Sequence, residues 1–295
     1  MKDTFSSFHP AVNFIYFLAV IVFSMFFMHP IFLCISLICS IAYSVYLNGA
    51  KALKFNLLFM LPMLLLFAVM NPVFNHEGAT ILIYINDNPI TLESIVYGFA
   101  AATMFISVII WFSCYNAVMT SDKFIYLFGR VIPALSLVLS MVLRLVPKLK
   151  AQIHVISNAQ KCIGRDVSNG NIITKAKNAM KILSILTTWA LENAIETADS
   201  MKSRGYGLKG RTSFSNFRFS RRDSAALLSM VALIVIVLFG AAIGQNNIVY
   251  FPEVVIQPIA PMSILIYVAY GGLCLLPLIL DILEDIKWAR IKSRA

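Results

Sequence analysis

From Phe5 through Ala50 the chain carries no Asp, Glu, Lys or Arg. A membrane helix needs about 20 consecutive apolar residues, so this stretch is long enough for two. His29-Pro30 is the natural break, because proline cannot continue a helix interior and disfavours helix in the residue before it. Spans are expected near 12–28 and 31–47. Four more follow: about 55–74 between Lys54 and Glu77, about 94–118 between Glu93 and Asp122, about 224–244 after Asp223, and about 261–281. Backbone polar groups in lipid must be satisfied internally, so the spans are helices; the alternating ten-residue segments of a barrel are absent. A length of 295 residues would suit about two soluble domains. The chain is instead 59% hydrophobic and 13% charged, against roughly 45–50% and 25% in soluble domains. Disorder, coiled coil and a disulfide-stapled secreted fold are excluded.

Charge gives the orientation. Residues 121–222 hold 17 Lys and Arg against 5 Asp and Glu, a net of +12, while the rest of the chain sums to −2. With the N-terminus inside, the inner segments 1–11, 48–54, 119–223 and 282–295 contain all 24 Lys and Arg. The outer loops near 29–30, 75–93 and 245–260 contain none and carry Glu77, Asp87, Glu93 and Glu253. The positive-inside rule then places both termini and the basic segment of this multi-pass protein in the cytoplasm, and the plasma membrane is the expected location. The N-terminal apolar stretch is too long for a cleaved signal. Cys34, Cys39, Cys114 and Cys274 lie in spans and Cys162 in the basic segment, and there is no C-x-x-C, so neither disulfides nor zinc is suggested.

The span interiors lack the charged groups, and the chain lacks the matched broken helices, that self-energised carriers usually use. Pro62, Pro72 and Pro277 are isolated and read as packing kinks. His9, His29, His76 and Glu77 are dispersed and read as ordinary loop residues rather than metal ligands. No P-loop, G-x-S-x-G, H-E-x-x-H or paired-carboxylate motif marks a catalytic site, and no nucleic-acid module accompanies the basic charge. Arg218, Arg221 and Arg222 read as topology determinants and contacts to anionic lipid.

The basic segment itself is organised. Residues 131–143 are apolar but too short to cross, and read as an interfacial or packed helix within the stretch 122–147, which ends at Pro147. Residues 148–165 read as a second helix closed by Gly164, and SNGN at 168–171 as a turn. Residues 174–204 read as one helix about 45 Å long with Thr174 as N-cap. Met180, Leu183, Leu186, Trp189, Ala190, Ile195, Ala198 and Met201 form its apolar stripe. It ends Ser203-Arg204-Gly205-Tyr206-Gly207. Glycine past the last turn and arginine at the negative end of the dipole make an ordinary helix stop. The same Arg204 could also project from the tip into an acidic groove, where a guanidinium captures a carboxylate in bidentate fashion.

The run AIETADSMKSRGYGLKGRTSF at 194–214 resembles a signature of the T-component transmembrane proteins of energy-coupling factor transporters, including the cobalt-importer type. Asp199-Ser200-Met201, Ser203-Arg204-Gly205-Tyr206 and Arg211-Thr212 carry the match. Leu143-Arg144-Leu145-Val146-Pro147 resembles the opening of that family's first coupling helix, and Ala159-Gln160-Lys161 the residues before its first Ala-Arg-Gly. The resemblance covers about 120–215 in motif and the whole chain in topology. It implies an all-α polytopic membrane protein with about six transmembrane helices and long cytoplasmic coupling helices inserted between spans 4 and 5. The implied division is 1–118, 119–223 and 224–295.

The resemblance also implies a non-catalytic subunit without a cofactor of its own. Its coupling helices would dock two ABC-type ATPases, which bind the ATP, through the tips Cys162-Ile163-Gly164-Arg165 and Ser203-Arg204-Gly205, with Arg144 and Pro147 at the coupling-helix start. A separate substrate-binding S component would receive the motion and import a vitamin or a transition-metal ion. Membrane lipid is the other implied partner; nucleic acid is not one. One departure stands out. Where the first Ala-Arg-Gly belongs, the chain has Cys162-Ile163-Gly164, followed by Arg165. Either Arg165 substitutes through a one-residue register change, or that tip docks by packing, which suits an asymmetric ATPase pair. A self-sufficient carrier, or a scaffold using 120–222 as a platform, are the alternatives.

Overall fold

A computed structural model describes residues 4–85, 88–129, 132–165, 171–206, 217–244, 247–256, 258 and 260–292. The order is a short 3-10 helix Phe5–Ser7, α1 Pro10–Phe26, α2 Pro30–Asn48, α3 Ala50–Phe74, β1 Ile81–Ile85, β2 Asn88–Thr91, α4 Leu92–Val118, α5 Ser121–Gly129, α6 Pro133–Cys162, α7 Ile172–Ser203, α8 Arg221–Ala242, β3 Ile248–Val249, β4 Val255–Ile256 and α9 Pro261–Lys292. A helix stands at each of the six expected span positions. Among the described residues α2, α4, α8 and α9 are long and apolar enough to cross a bilayer, whereas α1 and the Pro62–Phe74 part of α3 are shorter apolar helices.

The chain forms two compact units, one of Met1–Lys123 with Phe217–Ala295 and one of Phe124–Asn216. The first contains the apolar helices. Its core is aromatic: Tyr16, Phe17, Phe32, Tyr43, Trp111 and Tyr270 are fully buried. Buried polar groups need partners where no water reaches. The Trp111 Nε1–H donates to Ser36 Oγ (3.1 Å), which shares a hydrogen bond with Ser24 Oγ (2.7 Å), itself 3.2 Å from the Tyr270 hydroxyl. One indole, two serines and a tyrosine thus tie α4, α2, α1 and α9 together. The ring stack of Phe67 on Phe105 joins α3 to α4 (centroids 4.8 Å apart). At Gly98 a Cβ would approach the Phe67 carbonyl oxygen to 3.1 Å, so a glycine there lets α3 and α4 come close.

Two helices share a start. His9-Pro10 and His29-Pro30 each place proline at the first helical position, where its missing N–H costs nothing, and each histidine Nδ1 accepts from the backbone N–H two residues on (3.3 Å). His29 is therefore not a loop-surface residue: it is buried and stacks on Tyr267 (centroids 5.6 Å apart). Burial lowers the pKa of its imidazole from the ordinary value.

The body is helical, but the loops 75–93 and 245–260 each contain a two-stranded antiparallel hairpin, β1 with β2 and β3 with β4. Glu93 follows the first and is buried, accepting from the Thr80 N–H (3.2 Å) and hydroxyl (2.6 Å). Tyr250, between β3 and β4, donates its hydroxyl to the Met28 carbonyl oxygen (2.6 Å). The last helix also departs from expectation. Instead of ending near 281, α9 continues to Lys292, so Asp281 sits inside a helix and is fully buried.

Candidate coupling site at two helix tips

In the second unit two long helices lie side by side. Residues 131–147 and 148–165 were expected as separate pieces; they form the single helix α6 across Pro147. Proline removes one backbone hydrogen bond from an interior turn, and a long run without glycine on either side can absorb that as a local bend. Arg144 and Pro147 are accordingly exposed residues in mid-helix, not a helix start. At Gly129, the last residue of α5, a Cβ would meet Ser136 Oγ at 2.6 Å. The second helix starts at Ile172, not at Thr174, because the Asn171 side chain accepts from the Ile172 N–H (2.9 Å) and caps it.

Contacts between α6 and α7 are few and specific. Ile156 of α6 and Ile182 and Leu186 of α7 are buried together, with Leu149 and Trp189 half-buried beside them. Lys148 donates from Nζ to Asn193 Oδ1 (2.6 Å), and the same ammonium lies 5.4 Å from the Trp189 ring centroid. The face that α7 turns to α6 is thus Ile182, Leu186, Trp189 and Asn193, at spacings of four, three and four. The stripe read from the sequence mixed two faces: Leu186 and Trp189 belong to this one, but Met180, Leu183 and Ile195 are exposed.

Lys148 meets Asn193 while Ile156 packs with Ile182 and Leu186, so the helices run antiparallel through this stretch. Past the Lys148–Asn193 contact α6 continues to Cys162 and α7 to Ser203, in opposite directions. At 1.5 Å per residue this separates the tips by up to about 36 Å.

The tips have the same backbone. At the end of α6, the Gly164 N–H donates to the Lys161 carbonyl oxygen (3.0 Å) and the Arg165 N–H to that of Gln160 (3.0 Å). At the end of α7, the Gly205 N–H donates to Lys202 (3.0 Å) and the Tyr206 N–H to Met201 (3.1 Å). Both are Schellman motifs, with a left-handed glycine at φ +74° in each. Gly164 and Gly205 are therefore structurally equivalent. Ile163 (φ −95°, ψ 17°) stands where Arg204 (φ −83°, ψ 4°) stands, and Arg165 stands where Tyr206 stands. In this register Arg165 does not occupy the position that Arg204 holds at the other tip. Cys162, Ile163, Arg165, Ser203 and Arg204 are all exposed, and the Ser203 hydroxyl turns back to the Ser200 carbonyl oxygen (2.9 Å). Arg211-Thr212, the last part of the recognised run, lies outside the described residues.

The arrangement offers two exposed, rigidly capped helix ends: one with a guanidinium at the cap, one with an isoleucine. Among the described residues of either tip, no nucleophile is seen paired with a base and no two carboxylates come together. Among the described residues no three His, Cys, Asp or Glu converge as a metal site.

The transmembrane protein of the energy-coupling factor transporter of Lactococcus lactis subsp. cremoris (strain MG1363) is 33% identical over 111 residues, 37% of this chain and 42% of that protein. The corresponding protein of Lactobacillus helveticus (strain DPC 4571) is 35% identical over 113 residues, 38% and 41% of the two chains. That of Staphylococcus aureus (strain 04-02981) is 28% identical over 186 residues, 59% and 69%. The chain thus spans about two fifths of the length of the first two of these relatives. The model of the CbiQ family, described as cobalt transport protein, matches residues 4–214, well over half of the chain. The chain belongs to that family, as a T component, the transmembrane protein of energy-coupling factor transporters.

Proposed function

We propose that this T component transmits ATP hydrolysis by two ABC-type ATPases to a separate substrate-binding S component, importing a vitamin or a transition-metal ion across the plasma membrane. The chain itself is non-catalytic and binds no nucleotide or cofactor. It crosses six times, with both termini and the 119–223 insertion in the cytoplasm, where all 24 Lys and Arg then lie. Ser203-Arg204-Gly205 docks one ATPase through the guanidinium, and Cys162-Ile163-Gly164 docks the other, with Arg165 beside it; Arg144 and Pro147 lie on α6 upstream. Energy and substrate recognition reside on other chains, in keeping with spans that hold no carrier-like charge relay.

The observation that carries this reading is the pair of matched caps. Two antiparallel helices end in one and the same motif at points far enough apart for two partner proteins. Because Ile163 occupies the arginine position of the first tip, that tip docks by packing, and the two ATPases are chemically unlike at their grooves. The test is Arg204→Glu in the transporter assembled with its ATPases and S component. ATP-driven uptake should be lost while membrane insertion is normal. Unchanged uptake would refute the coupling role, and uptake by the purified chain alone would favour a self-sufficient carrier.

A further inference from the structure

Residues 5–9 form a strap in which every residue is held by a charged side chain from a distant helix. The Phe5 N–H donates to Asp281 Oδ1 of α9 (2.8 Å). The Ser6 carbonyl oxygen and hydroxyl accept from Lys123 Nζ of α5 (2.5 and 3.2 Å). The Ser7 hydroxyl accepts from Arg222 of α8 (2.9 Å), and the same guanidinium lies 4.6 Å from the Phe8 ring centroid. The His9 N–H donates to Asp223 Oδ1 of α8 (3.0 Å). Phe5 and Phe8 are buried, which sets the strap in place between these charges.

The anchors are costly. Lys123, Asp223 and Asp281 are 6%, 4% and 0% exposed. A buried ion is tolerated only when hydrogen bonds replace its water, and an apolar residue of similar size often serves stability as well or better. Here backbone groups supply much of the replacement. Lys123 adds the Val118 carbonyl oxygen (2.8 Å), and Asp223 adds the Ser220 N–H (2.8 Å) and hydroxyl (2.7 Å) as the capping box of α8. Arg222 also pairs with Glu284 of α9 (2.7 Å).

These residues have one thing in common. Lys123 is where the chain leaves the first compact unit for the 124–216 unit, and Arg222 and Asp223 lie just after it returns. Both roots of the insertion are therefore tied to one five-residue strap, and through Asp281 and Glu284 to α9. We infer that the strap is a clamp that fixes both roots of the insertion to the last membrane helix, so that displacement of the insertion is delivered to the membrane helices rather than absorbed at its roots; this role rests on the coupling function proposed above. Lys123, Arg222 and Asp223 are positioning residues for coupling, distinct from the tips that dock partners.

The test is a coupling ratio. In the complete complex reconstituted in vesicles, Lys123→Met should lower uptake per ATP hydrolysed by at least roughly tenfold, with ATP hydrolysis itself changed by less than about twofold. Lys123→Arg should keep the ratio. Arg222→Gln alters a half-exposed position and leaves the buried ions in place, so folding is spared; it should lower the ratio about threefold. Hydrogen exchange on the wild-type complex should show the Phe5 and His9 amides protected through turnover. An unchanged ratio in both variants, a parallel fall of uptake and hydrolysis, or exchange of those amides at the rate of a free peptide would each overturn the clamp. A wild-type chain that binds no ATPase would instead sink the coupling reading and the clamp with it, whereas ATPase binding with a normal ratio in Lys123→Met sinks the clamp alone.

Discussion

The ends of α6 and α7 share a backbone and differ in a side chain. In each, a glycine at φ +74° lets two N–H groups turn back onto the last carbonyls, and the residue before it projects outward. That residue is Ile163 in one and Arg204 in the other. The cap is dictated by glycine and would form with either neighbour. The projecting residue makes no such demand on the helix, so its identity is free to vary. The difference teaches that stopping a helix and presenting a side chain beyond it are separable here; on the function proposed above, the two tips face different surfaces.

The most damaging change to that picture is Arg204→Glu. Truncating one member of a desolvated charge pair costs about 2–5 kcal/mol, and a reversed charge adds repulsion. Docking at this tip should weaken by at least roughly 30-fold, read as the ATPase concentration needed to restore hydrolysis in detergent. The same docking in the wild type should weaken as salt rises, because screening weakens the long-range attraction that brings the guanidinium to an acidic groove. Equal, salt-independent docking by the wild type and the variant would erase the distinction between the tips.

Ile163→Arg sharpens the comparison from the other side. It restores the arginine that the family pattern places at the first tip. If the facing groove is apolar, the new guanidinium is desolvated without a partner, and docking weakens by about 1–3 kcal/mol. If the groove still carries a carboxylate, docking tightens. The expected result is weakening, with no gain in salt dependence at that tip. Tightening would mean that both ATPase grooves are acidic and that Ile163 is a tolerated loss.

Much of this architecture was legible in the sequence because apolar runs and helix-ending glycines are local signals. The six apolar helices lie where the uncharged stretches predict, and Gly164 and Gly205 close α6 and α7 as their positions suggest. What was not legible depends on tertiary partners. Nothing local says that Pro147 is carried within a helix, since that depends on the strength of the turns on both sides. The place of Ile182 on the packed face of α7 is not legible, because periodicity alone cannot say which of two faces meets α6; the Lys148–Asn193 contact decides it. Asp281, Lys123 and Asp223 read as ordinary residues at the edges of apolar runs. Their burial comes from the strap, whose backbone reaches them across 276, 117 and 214 positions of sequence. One signal was available: His-Pro precedes both α1 and α2, and its repetition marks 9–10 as a fixed helix start.

The smallest expected effects are at the glycines, and they test the shared half of the comparison. A Cβ at Gly164 would meet nothing within 4 Å, so the cost of Gly164→Ala is the left-handed backbone alone, about 1–2 kcal/mol. The matching φ at Gly205 predicts a similar backbone cost for Gly205→Ala. Local hydrogen exchange at the Arg165 and Tyr206 amides, which close the two motifs, should rise by comparable factors of roughly 5–30 in the respective variants. The consequences for docking should nevertheless differ. A frayed cap lets the Arg204 guanidinium swing away from a directional, bidentate contact, whereas Ile163 makes non-directional apolar contact that tolerates such a shift. Gly205→Ala should therefore lower ATPase docking severalfold more than Gly164→Ala despite equal fraying. Equal losses of docking would show that the caps, not the residues they present, set the strength of both contacts.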